Sequence, residues 1–108
     1  MPDVDKKRAL HQALVDRVLN GAGRASADLR ARAFSNADVP PALQALIGQV
    51  ATRPAQVTDA DFAAAKASGF SEDELFELVI SAALGQSARR YDAGLAALAE
   101  ATASGAAG

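Results

Sequence analysis

From Leu75 to Leu84 the chain reads LFELVISAAL, an apolar run broken only by Glu77 and Ser81. Rolled into a helix, such a segment shows hydrophobic side chains around most of its circumference, and a helix of that kind must be covered on nearly every side. The requirement excludes a lone surface helix and asks for a bundle. The start of the helix is written just upstream. Ser71 and Glu74 stand three apart as a capping box, and Phe70, before the cap, is placed to pack on Leu75 as a hydrophobic staple.

The rest of the chain supplies helices to surround it. Leu10, Leu14 and Val18, with Val15 and Leu19, recur at helical spacing and predict a helix over Asp5 to Asn20, stopped by Asn20-Gly21. A shorter helix is expected from Ser26, a good cap, to Phe34, with Leu29 and Ala33 inward and Arg24, Arg30 and Arg32 in solvent. Ser35 to Val39 reads as a turn. Pro40-Pro41 suits a helix start, because proline lacks the amide hydrogen that a first turn leaves unused, and Leu43, Leu46, Ile47 and Val50 then share one face. Pro54 interrupts that helix. Thr58, three residues before Asp61, opens a fourth helix over about Asp59 to Ser68, which Gly69 ends. After Gly85, residues Gln86 to Ala101 either continue the apolar helix with a kink or form a sixth, carrying Tyr91, Leu95 and Leu98. No stretch alternates with period two for long enough to build a sheet. The expected fold is all-α, a compact bundle of five to six helices in a single domain over residues 1–101, with 102–108 as a disordered tail.

At 108 residues, with half of them hydrophobic but many of those alanine and none tryptophan, the chain can bury one core of small side chains between closely approaching helices. The formal charge of -2 is spread among interspersed acids and bases, which argues against nucleic acid as a partner. No apolar run approaches the roughly 20 residues of a membrane span, and the polar start argues against a secretory signal, so the expected location is cytoplasmic. Cysteine is absent, and with it disulfides, thiolate nucleophiles and thiolate metal ligands.

Few side chains are arranged for chemistry. His11 is the only histidine and reads as structural or solvated; without a second histidine or a cysteine, no metal and no cofactor is expected. Gly21-Ala22-Gly23 follows a helix where a phosphate-binding loop would follow a strand, and reads as an ordinary loop. Asp59, Asp61 and Asp73 sit near helix starts, where the helix dipole favours negative charge. Arg89, Arg90 and Tyr91 form the one cluster able to hold a small anion or polarise a carbonyl, although a surface group of this kind reads first as a solvated or intersubunit salt-bridging patch.

The stretch from Val39 to Leu98, and in it AAAKASGFSEDELFELVISAAL, resembles the alkylhydroperoxidase-like family, which includes carboxymuconolactone decarboxylase. The family pattern is Cys-x-x-Cys-x-x-His at a helix start, an alanine-rich helix, a glycine, and Ser/Thr-x-x-Glu opening an apolar helix. Counted back from Gly69, the histidine position falls on Asp61 and the cysteine positions on Thr58 and Ala55. The proton-relay glutamate has no counterpart, since Val39 to Ser71 contains no glutamate; Gln44 and Gln49 are the nearest polar substitutes. The resemblance implies an all-helical protein that assembles into trimers or hexamers. It also implies that Ala55, Thr58 and Asp61 share one face at a helix start. Thiol peroxidase activity is excluded, because it needs a thiolate and a resolving thiol.

Two functions are compatible with this sequence. One is a non-redox helical module acting through self-assembly or as a protein-binding partner, with oligomerisation covering the apolar helix. The other is a cofactor-free small-molecule binder or acid/base enzyme, an isomerase or decarboxylase, with Asp61 or Asp59 as the acid or base and Arg89, Arg90 or Tyr91 on an anionic substrate.

Overall fold

The computed structural model describes residues 2–107, with the side-chain surroundings of residues 5–103. Among these are five α-helices, one short 3-10 turn and no strand: α1 (Pro2–Asn20), α2 (Ala27–Ser35), α3 (Pro41–Thr52), the turn Pro54–Gln56, α4 (Asp59–Ala67) and α5 (Glu72–Ala107). The fold is the expected all-α bundle.

The local signals act as their chemistry dictates. Ser26 caps α2, its Oγ accepting from the Leu29 amide at 3.1 Å, and Asn36 ends the helix in the left-handed region at φ 49°. Pro41 occupies the first position of α3. Gly69, at φ +104°, turns the chain between α4 and α5 where a side chain would strain the backbone. The Glu74 amide donates to Ser71 Oγ and the Ser71 amide to Glu74 Oε1, both at 3.1 Å, closing the capping box of α5. From there α5 runs without a break through Gly85 and the alternative sixth helix, on to Ala107 and past Ala101, where the sequence places the end of the domain.

The core lies between α3 and the first third of α5, where Leu43, Leu46, Ile47, Leu75, Leu78 and Ala82 are fully enclosed. Ala25, Ala33 and Ala65 close it from the loop between α1 and α2, from α2 and from α4, and Phe70 packs at its edge. Small residues let α2 come close to α5, and a Cβ on Gly85 would collide with the Phe34 carbonyl. Val79 is partly buried, and Phe76 and Ile80 on the same helix are exposed, so the apolar run is covered on only part of its circumference.

One arginine departs from expectation. Arg30 is 7% exposed instead of solvated. Its guanidinium donates to the carbonyls of Val18 at 2.9 Å and Gly21 at 2.7 Å, closing the carbonyl end of α1. A cation placed there gains from both the orphan carbonyls and the helix dipole, which offsets its desolvation. Arg32 stays exposed, paired with Asp28 at 3.1 Å, and Arg24 is exposed as well.

Candidate functional site

The segment AQVTDAD is built as a helix start. The Thr58 amide and hydroxyl both donate to Asp61 Oδ2, at 3.0 and 3.1 Å, while the Asp61 amide donates to Thr58 Oγ1 at 3.3 Å. Thr58 is therefore the cap of α4 and Asp61 its third residue. Ala55 lies before the cap, inside the 3-10 turn begun by Pro54. Ala55, Thr58 and Asp61 do not form one helical face, because Pro54 and the capping box together shift the first true turn of α4 past Ala55. Asp59 is exposed in that first turn.

Arg89, Arg90 and Tyr91 diverge. Arg89 donates to the Phe34 carbonyl at 2.8 Å, on the last turn of α2. Arg90 is exposed. Tyr91 stacks on His11, ring centroids 5.8 Å apart and planes 29° from parallel, and this pair joins α1 to the second half of α5. Beside it opens a cleft of about 490 Å³ between α1 and α5, floored by Phe34 and edged by Arg8, Asp16 and Asp92. His11 Nε2 is enclosed there without a hydrogen-bond partner. Asp61 does not line this cleft, so the structure does not bring the carboxylate of the acid/base reading together with Tyr91. Among the described residues no group of three or more His, Asp or Glu side chains gathers to hold a metal ion, and no helix is long and apolar enough to cross a membrane.

A carboxylate that sequence reasoning passes over is held by two backbone amides. Glu77 leaves the apolar face of α5 and accepts the amide of Arg24 at 2.8 Å on Oε1 and the amide of Ala25 at 2.5 Å on Oε2. Gly23 beside it leaves room for the carboxylate. These two backbone donors hold the Glu77 carboxyl below its ordinary range, assisted by the positive charges of Arg30 and Arg24. With Arg30 on the end of α1, Glu77 fixes the loop joining α1 to α2, a structural role. Its sequence signal is a lone acid inside an apolar run.

Compared with protein-family models, with curated proteins and with solved structures, the chain matches none.

Proposed function

We propose that this chain is a non-redox helical module that works by assembly, self-associating or seating a protein partner on α5. The observation that carries the reading is surface. The chain exposes 6996 Å², whereas a compact monomer of 11.0 kDa exposes about 5,600 Å², an excess of about 1,400 Å². That excess carries large apolar side chains in the open, with Leu10, Phe76 and Leu98 each more than 60% exposed. Exposed apolar side chains of this size on α1 and along α5 gain from burial against another protein.

An alkylhydroperoxidase-like build agrees with the Ser71–Glu74 box, the Gly69 turn and the apolar helix behind them, and a cytoplasmic site of action agrees with the lack of cysteine. Ala55 stands outside that pattern. The acid/base alternative finds less support, because Asp61 spends Oδ2 on the amide and hydroxyl of Thr58. Light scattering on purified protein at tens of micromolar tests the proposal. A mass of two or more chains is expected, or a single chain that becomes a complex with a protein partner; a clean monomer that captures nothing overturns it.

A further inference from the structure

From Leu84 to Ala101, α5 carries a seam that the rest of the chain covers only in part, at half-buried Leu84 and on the side of Tyr91 that stacks on His11. Leu84, Ser87, Tyr91, Gly94, Leu98 and Ala101 follow one another at alternating steps of three and four, which is the heptad spacing of a helix that packs on another helix. Along this seam large and small side chains alternate strictly. Tyr91 is 37% exposed and Leu98 63%, and Ser87, Gly94 and Ala101 are exposed. Of the charged residues between Leu84 and Ala101, Arg89, Asp92 and Glu100 fall on the far side of the heptad, and only Arg90 flanks the seam.

Gly94 lies inside a helix, where glycine costs about 1 kcal/mol relative to alanine. Gly85, nine residues earlier, is explained by the close approach of Phe34, whereas a Cβ on Gly94 would meet nothing within 4 Å. The chain's own packing gives no reason for its missing side chain.

Resting on the assembly reading above, we infer that α5 pairs antiparallel with α5 of a second copy of this chain, centred between Asp92 and Ala93. In an antiparallel pair, Leu84 faces Ala101, Ser87 faces Leu98 and Tyr91 faces Gly94 of the other copy. All three pairs share the same centre, so the surface is complementary to itself, as a two-fold interface requires. Every layer then sets one large side chain against one small one. A parallel pair would stack Tyr91 on Tyr91 and Gly94 on Gly94, leaving layers alternately crowded and empty. The molecule as a whole carries an excess surface of about 1,400 Å², of which the seam is one part, and a stable interface takes roughly 800 Å² from each partner.

The absence of native cysteine makes the register directly readable by cross-linking. In the full chain, Ser87→Cys with Leu98→Cys should give a disulfide-linked dimer on mild oxidation, while either substitution alone should give almost none. Within one chain the two positions are about 16 Å apart along the helix, too far to bridge. Leu98→Cys cross-linking as readily as the double variant would mean a parallel pair and overturn the inference. So would a double variant that stays unlinked while the unsubstituted chain scatters as a multimer, an outcome that leaves the assembly reading standing; a monomeric unsubstituted chain overturns the inference, and removes the assembly reading as well when it captures no protein partner. Gly94→Leu supplies a second test that does not depend on oxidation. It should leave the far-ultraviolet helix signal intact or raised and weaken association by about tenfold or more; unchanged association overturns the register.

Discussion

Glu77 shows how much of this fold can rest on one carboxylate. It ties the loop after α1 to the middle of α5 through the amides of Arg24 and Ala25, and those donors favour its charged form. Because its folded pKa lies below the ordinary value of 4.5, the stability it contributes is complete above that value and is lost as the pH falls from 4.5 through the lowered folded pKa. Glu72, lowered by its hydrogen bond and ion pair with Lys66, loses its contribution in the same direction, so the wild-type curve contains both. Glu77→Gln separates them. The variant should be about 1–2 kcal/mol less stable at neutral pH, since a neutral acceptor replaces a charged one, and its urea-unfolding midpoint should fall less steeply below pH 4.5. A variant curve parallel to the wild type would show that the two amide contacts do not favour the charged carboxylate.

Within α5, position decides whether a glycine helps or harms. Gly85→Ala should destabilise the protein despite alanine's better helix propensity, because the new methyl meets the backbone of Phe34 and not a side chain that could swing aside. Gly94→Ala should stabilise the dilute, unassociated chain by about 0.5–1 kcal/mol, having only open space to fill. Thermal melts of the two variants should move in opposite directions, and a common direction would contradict this account of α5. Leu78→Ala, at the centre of the core, should cost about 2–5 kcal/mol in denaturant unfolding. The helix starts were legible in the sequence because capping is local: Ser26, Pro41, Thr58 and Ser71 act within three residues of where they stand. So was the inward face of α3, which needs only periodicity. Arg30 and Glu77 were not, since their partners lie 9 to 53 residues away along the chain and a charged residue gives no periodic sign of a distant carbonyl or amide. The side-by-side order of Arg89, Arg90 and Tyr91 misled for a related reason. Neighbours in sequence point in different directions around a helix, so one reaches Phe34 and another His11.

The molecule measures 57 × 28 × 21 Å, with a radius of gyration of 16.6 Å against about 13 Å for a compact chain of this length. Its long dimension is α5, whose 36 residues span about 54 Å. The core occupies the start of that helix, up to Ala82. Between Ser87 and Ala103 only Ala88 and Leu95 are even partly buried. Folding and association are therefore written on different halves of one helix and should be separable. A chain ending at Asp92 keeps every core residue, the Arg89 contact to Phe34 and the stack of Tyr91 on His11, and loses half of the proposed seam. It should unfold cooperatively, as a chain with an intact core does. Its melting temperature should not depend on protein concentration, whereas that of the full chain should rise with concentration, because association stabilises the folded form by mass action. Melts at two concentrations at least tenfold apart, followed by circular dichroism, compare the two chains directly. A shortened chain whose melting temperature still rises with concentration would place the interface on α1 or on the Phe76–Ile80 edge, and a shortened chain without a cooperative melt would mean that the far half of α5 belongs to the fold itself.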